Sequence, residues 1–228
     1  MAKVSVILPA AGSSRRFGGR RNKILQPIGD RPVFLVTVDA FAPRPDVCQI
    51  QLVVSPDDRD EIARTFGEQL SARGAALVAG GPTRTQSVRN ALAHVAPEAD
   101  LVCVHDAVRP CISPALIDAV FAAAEQSGAA ILAYPVRATL KRASPDNIII
   151  QTVPREGLWE AQTPQVFRKD LLEAAYAAHH HATDDAELVQ ALGHPVRIVP
   201  GDPRNLKITT PTDLAIARSI LDSLAGQR

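Results

Sequence analysis

The chain has 228 residues, with 25 Lys and Arg against 24 Asp and Glu, and 46% of it is hydrophobic although only 4% is aromatic. A net charge of +1 argues against a protein that wraps nucleic acid through its overall field, and the length suits one aliphatic-rich core of substantial size. Apolar runs stop well short of the roughly 18 residues that cross a bilayer, so the expected partners are small molecules, with no nucleic acid and no membrane.

Met1-Ala2-Lys3 leads straight into strand-like Val4–Leu8 rather than into a signal sequence, which sets a cytoplasmic expectation. Further strands are predicted at Ile50–Val54, Ala75–Ala79, Leu101–Val104 and Ile131–Ala133, each a short apolar run of the kind buried on both faces. Between them Pro32–Phe41, Asp57–Leu70, Thr83–Val95 and Ser113–Gln126 have helical length, and Ser113-Pro114 reads as an N-cap followed by Pro at the first helical position. This alternation predicts an α/β fold with a doubly wound, mostly parallel, Rossmann-like sheet.

The pattern breaks over residues 136–154. Thr139–Arg142 and Ile148–Val153 flank the turn-forming Ser144-Pro145-Asp146-Asn147 and read as a β-hairpin. Two isolated strands are marginal in water, so an arm carrying an Ile triplet is expected to dock on another subunit. Helices follow at Lys169–Ala182 and Asp185–Leu192, then a strand at Val196–Val199 and a last helix from about Pro211 to Leu224. With no repeat and no linker, residues 1–228 are expected to form a single domain with residues 136–154 as its arm. Cys48, Cys103 and Cys111 show no CxxC spacing and read as reduced thiols.

The chemistry is concentrated after strands. Pro9, Ala10, Ala11 and Gly12 open a stretch to Lys23 that carries five basic residues, three glycines and no acid. Small residues let backbone N–H groups approach a ligand while Arg and Lys meet phosphate oxygens, so the stretch reads as a polyphosphate-binding loop, though neither a P-loop nor a GxGxxG loop. A basic surface loop is the simpler alternative. After the fourth strand, His105-Asp106-Ala107-Val108-Arg109-Pro110 would face the same crevice. Asp106 there has three readings: a Mg²⁺ ligand, an acceptor of sugar hydroxyls, or a helix N-cap. Gly80-Gly81-Pro82 before Ser87 would admit a flat base, and Lys207 lies just after the last strand, where an exposed lysine is the plainer reading. His179-His180-His181 is discounted as a metal site, because adjacent helical positions diverge. Trp159 reads as packing.

Taken in order, these stretches resemble the 2-C-methyl-D-erythritol 4-phosphate cytidylyltransferase family along almost the whole chain. The resemblance is carried by Pro9-Ala10-Ala11-Gly12 with Arg16 and Lys23, by Gly80-Gly81-x-x-Arg84-x-x-Ser87, and by His105-Asp106-Ala107-x-Arg109-Pro110. It continues through Thr139, Thr152-Val153-x-Arg155-x-Gly157-Leu158-Trp159, Thr163-Pro164-Gln165, Thr183-Asp184-Asp185 and Asn205-x-Lys207-Ile208-Thr209. One departure is Asn22-Lys23-Ile24, where the family usually has Pro-Lys-Gln.

The resemblance implies a cation pair on the α-phosphate at Arg16 and Lys23, and acceptor-orienting residues at Arg155 and Lys207, these four being the expected catalytic set. Nucleotide contacts are implied at Pro9, Ala10, Ala11 and Gly12, and again at Gly80, Gly81, Ser87, Asp106 and Ala107. Asp106, Arg109, Thr139 and Thr183 would support the acceptor, with Thr139 and Arg155 reaching a homodimer partner's site through the arm. The implied reaction is CMP transfer from CTP to 2-C-methyl-D-erythritol 4-phosphate, with Mg²⁺ mainly on the CTP phosphates. A cytidylyltransferase for another polyol phosphate, such as ribitol 5-phosphate, and a non-catalytic nucleotide-binding regulator are the competing readings.

Overall fold

A strand covered by helices on both faces needs apolar side chains pointing both ways, and the first strand has them. In the computed structural model, which describes residues 1–12, 17, 22–179 and 181–225, β1 (Val4–Pro9) sends Val4, Val6 and Leu8 to one core and Ile7 to the other. After it come a 3₁₀ turn (Lys23–Leu25), a two-residue ribbon of β2 (Pro27–Ile28) and β3 (Arg31–Pro32), and α1 (Val33–Asp39). The chain continues through β4 (Val47–Val54), α2 (Pro56–Ser71), β5 (Ala75–Ala79), α3 (Arg84–Leu92), β6 (Leu101–Val104), α4 (Pro114–Ser127) and β7 (Ala129–Pro135). The arm is β8 (Leu140–Ala143) with β9 (Ile149–Val153), and the rest is β10 (Trp159–Arg168), α5 (Lys169–Ala178), α6 (Asp185–Ala191), β11 (Arg197–Pro200) and α7 (Pro211–Ala225).

Seven strands form one sheet in the order β11-β7-β10-β6-β1-β4-β5, parallel throughout except for β10, which runs antiparallel to both neighbours. Helices α1, α2, α4 and α7 bury their apolar stripes on one face, and α3, α5 and α6 on the other. The chain winds outward from β1 to β4 and β5, then returns to the opposite side of β1 as β6. That reversal opens a crevice above the carboxyl ends of β1 and β6, the place where ligands bind in open α/β sheets.

The doubly wound sheet agrees with the sequence expectation, and Ser113 caps α4 through Leu116 N–H with Pro114 behind it. β10 is the main difference. Residues 159–168 are read from sequence as motifs with no strand, yet they form the antiparallel strand between β6 and β7. The helix expected to reach Ala182 ends at Ala178, and β4 begins at Val47, three residues before the expected Ile50. Trp159, read as packing, retains 40% of its surface.

The arm pairs only with itself, Leu140 opposite Val153 and Lys141 opposite Thr152. Asn147 takes a φ of +62° at its turn, a conformation Asn tolerates better than most residues. Ile148, Ile149 and Ile150 are 67%, 62% and 62% exposed, a contiguous apolar patch without cover in one chain.

At the end of β6, His105 is sealed against Phe41, with ring centroids 5.3 Å apart. A carbonyl only accepts, so His105 Nε2–H donates to Arg109 O at 3.1 Å and Nδ1 must accept from the Thr163 hydroxyl at 3.0 Å. Thr163 in turn accepts from Asp106 N–H at 3.1 Å, which ties the site loop to β10. Burial lowers the imidazole pKa from 6.5 to about 4. Between those values the unfolded chain binds a proton that the folded chain refuses, so stability falls as pH falls through this window, by on the order of 3 kcal/mol at its lower end. Denaturant titrations from pH 7 to 4 should show a steeper decline for wild type than for His105→Gln, and equal slopes would contradict the sealed neutral imidazole.

Candidate active site

Four strand ends and the loops beyond them surround a cavity of about 640 Å³. Pro9 to Gly12 leave β1, Gly81 to Thr83 leave β5, Asp106 and Val108 follow β6, and Lys207 and Thr209 follow β11. Lys23 closes the ring from its 3₁₀ turn. That turn is anchored twice: Ile24 is buried in the core, and the Asn22 amide donates to Asp58 at 2.8 Å near the start of α2. Gly12 and Lys23, at the two ends of the basic stretch, both line the cavity.

The glycine pair after β5 has a steric cause. A Cβ on Gly80 would lie 2.6 Å from Ala11 Cβ and 3.0 Å from the Val54 carbonyl, so only glycine lets the β1 and β5 loops meet. Ser87 lines the cavity, but its hydroxyl is engaged by the same turn, accepting from Gly81 N–H at 3.0 Å and donating to the Thr83 carbonyl at 2.9 Å. Ala107 is buried behind the wall, its N–H on the Pro9 carbonyl and its carbonyl accepting from the Thr37 hydroxyl.

A second cavity of about 260 Å³ adjoins the first, and the two share Arg84, Asp106 and Lys207 in their walls. Arg109, Gln162, Thr163 and Thr183 complete much of the smaller one. Asp106 stands at the boundary: its Oδ2 is 2.9 Å from Lys207 Nζ and 3.4 Å from Arg109 Nε, and its Oδ1 is 3.6 Å from Arg84 Nε. Burial pushes this carboxyl up, but Lys207, Arg84 and Arg109 outweigh it and hold the group well below the usual carboxylate range. Burial likewise opposes the charge on Arg84, and Asp185 with Asp106 more than restores it.

Lys207 is presented by a tethered loop. Arg109 Nη1 donates to the Asn205 carbonyl at 2.7 Å, buried Asn205 donates to the Thr163 carbonyl at 2.8 Å, and Ile208 N–H donates to the Val108 carbonyl at 2.9 Å. The Thr183 hydroxyl is held by Glu187 at 2.8 Å, at the start of α6.

The structure thus gathers Pro9, Ala10, Ala11, Gly12, Lys23, Gly81, Ser87, Asp106 and Lys207 on one cavity and Arg109 and Thr183 on its neighbour, with Gly80 and Ala107 behind the wall. Thr139 and Arg155 line neither; both are exposed at the root of the arm, where Arg155 donates to the Arg137 carbonyl. Arg16 lies outside the described residues, as does His180 of the histidine run. The helix N-cap reading of Asp106 fails, because α4 is capped by Ser113. The metal-ligand reading fits poorly, since both carboxylate oxygens already face cations. Among the described residues no group of three or more His, Cys, Asp or Glu is placed to hold a metal ion.

Sequence reasoning gave no role to Arg84, Gln162, Thr163 or Asn205. Arg84 had a usable signal, a cation in the first turn of a helix directly after a glycine turn. The other three are polar residues whose importance lies in being buried, which their types do not reveal.

The chain matches the family described as IspD, 2-C-methyl-D-erythritol 4-phosphate cytidylyltransferase, over residues 4–223. It is 44% identical to the 2-C-methyl-D-erythritol 4-phosphate cytidylyltransferase of Rhodopirellula baltica, over 99% of this chain and 98% of that one. The enzyme of the same name from Dechloromonas aromatica is 42% identical over 97% of this chain and 98% of its own length. A crystal structure of 2-C-methyl-D-erythritol 4-phosphate cytidylyltransferase from Thermus thermophilus superposes with a TM-score of 0.79 at 36% identity, covering 96% of this chain and 98% of that one. Fold, motif order and full-length identity agree, and the chain belongs to the 2-C-methyl-D-erythritol 4-phosphate cytidylyltransferase family.

Proposed function

We propose that the larger cavity holds CTP, the smaller one holds the acceptor phosphate, and Asp106 marks the boundary across which the cytidylyl group passes. The family reaction moves that group from CTP to 2-C-methyl-D-erythritol 4-phosphate and releases pyrophosphate. An acceptor phosphate oxygen forms a bond to the α-phosphorus while the bond from that phosphorus to the β-phosphate's bridging oxygen breaks, with no covalent protein intermediate. The observation that carries this reading is the shared wall of Arg84, Asp106 and Lys207 between two adjoining cavities.

A phosphate monoester is largely ionised near pH 7, so the chain needs cations in place rather than a strong base. The site meets that description: Lys23, Arg84 and Lys207 face the larger cavity, and among its described lining residues Asp106 is the single acid and histidine is absent. Lys23 serves the α-phosphate together with Arg16, whose part rests on the family resemblance. Lys207 and Arg109 receive the acceptor phosphate, and the divalent ion arrives on the triphosphate as part of the substrate, because Asp106 is committed to its cations. Thr139 and Arg155 complete the site of a second subunit, a reading supported by their absence from the walls of both cavities and by the uncovered isoleucines of the arm.

Pyrophosphate release measured with CTP, Mg²⁺ and either 2-C-methyl-D-erythritol 4-phosphate or ribitol 5-phosphate should favour the first; CTP binding without turnover of any acceptor would point instead to a regulator. Under the same assay Lys207→Ala should raise the acceptor KM by about tenfold or more and leave the CTP KM nearly unchanged, whereas an equal rise in both would misplace the boundary between the cavities. Lys23→Ala should lower kcat by about 10²–10³-fold, the scale of one preorganised electrostatic contact, and a folded variant with wild-type kcat would remove Lys23 from the mechanism. Mixing inactive Lys23→Ala and Arg155→Ala chains in equal amounts should restore about a quarter of wild-type activity, since half of the dimers are mixed and each of those has one intact site. No recovery after subunit exchange would mean that Arg155 serves its own chain.

A further inference from the structure

Asp185 of α6 is fully buried, and three other elements converge on it. The Tyr176 hydroxyl of α5 donates to its Oδ1, and Arg84 Nη2 of α3 donates to its Oδ2 at 2.7 Å. The Gln165 side-chain Oε1 of β10 accepts from the backbone N–H groups of Asp185 and Ala186, each at 3.1 Å, while its Nε2 donates to Asp184 at 2.9 Å. Backbone and carboxylate of Asp185 are therefore both clamped. Arg84, gripped at one end, turns its Nε toward Asp106 and contributes to the walls of both cavities.

We infer that Asp185, fixed by Tyr176 and Gln165, is a positioning residue that aims the Arg84 guanidinium at the boundary between the cavities and so sets where the acceptor phosphate meets Lys207 and Arg109. The inference rests on the division into nucleotide and acceptor cavities proposed above. A purely structural role accounts poorly for the choice of residue. Buried ion pairs give little net stability over apolar pairs of similar size, and α6 already docks through Ala186, Leu188 and Val189. A carboxylate adds direction, because it fixes the plane and the fork of a guanidinium as no aliphatic side chain does. It also divides the charge. With Asp185 holding Arg84, the nearer partners of Asp106 are Lys207 at 2.9 Å and Arg109 at 3.4 Å, and Arg84 stays at 3.6 Å. Without that hold Arg84 would close on Asp106 Oδ1 and shift the carboxylate whose other oxygen Lys207 and Arg109 share, and small displacements of such groups carry large kinetic effects.

The test is a kinetic double-mutant cycle in the full-length protein with CTP and 2-C-methyl-D-erythritol 4-phosphate. Asp185→Asn should raise the acceptor KM by about tenfold while kcat and the CTP KM stay within about threefold. On an Arg84→Ala background the same change should alter the acceptor KM by less than about twofold, since its route of action is gone. Tyr176→Phe removes one hydroxyl and leaves the charge, and should move the acceptor KM in the same direction by about threefold, again only when Arg84 is present. This variant carries the test by itself if Asp185→Asn does not fold. Effects of equal size in both backgrounds, or an unchanged acceptor KM in folded Asp185→Asn, would overturn the positioning role. The Lys207→Ala result separates the two levels: a raised acceptor KM there beside unchanged Asp185→Asn kinetics refutes positioning alone, whereas no change in either refutes the acceptor cavity and the inference with it.

Discussion

The carboxylate of Asp106 sits past the end of β6 against Lys207, Arg84 and Arg109, and these cations arrive from three separate parts of the chain. Like charges gathered this closely repel one another unless an anion lies among them, and in a partly buried cavity that repulsion is poorly screened. Asp106 supplies the anion. The fold then has to bring a loop after β11, the first turn of α3 and the loop after β6 to one point, and the crossover beside β1 is what makes the last two meet. Removing its buried anion would leave the cations uncompensated, a loss that in buried charge groups typically costs about 3–5 kcal/mol.

The scaffold was legible where burial acts on both sides of a strand. β1, β5 and β6 announce themselves as short aliphatic runs because each packs between two helical layers, and Ser113-Pro114 marks the start of α4 because cap and first-turn chemistry are local. β10 was not legible. Its Gln162, Thr163, Pro164 and Gln165 show no apolar strand pattern, and their burial makes sense only once Asn205, His105, Asp184 and Asp185 are in place around them. The two-residue β2 and β3 are too short for any periodicity to register.

The site divides along the same line. Residues on glycine-rich or basic loops after strands, such as Gly12, Lys23, Gly81 and Lys207, could be picked out because their types already suggest close approach of a base or contact with phosphate. The residues that hold them received no role, although Arg84, Thr163, Asp185 and Asn205 stand in the matched motifs. An aspartate in the first turn of a helix, as Asp185 is, usually signals no more than a favourable helix dipole, and nothing local distinguishes one that meets an arginine about a hundred positions earlier. Thr139 and Arg155 mark the opposite limit: their motif is plain in the sequence, but one folded chain does not bring them to either cavity.

The sealed imidazole at the end of β6 has a kinetic corollary. His105 keeps its un-ionised form until about pH 4, and the aspartate beside it stays anionic through the neutral range. Neither of these neighbours therefore changes charge where a phosphate monoester takes up its second negative charge, near pH 6. On the proposed reading, a rise in turnover across neutrality is then owed to neither of these two groups, which present a constant charge while the phosphates titrate.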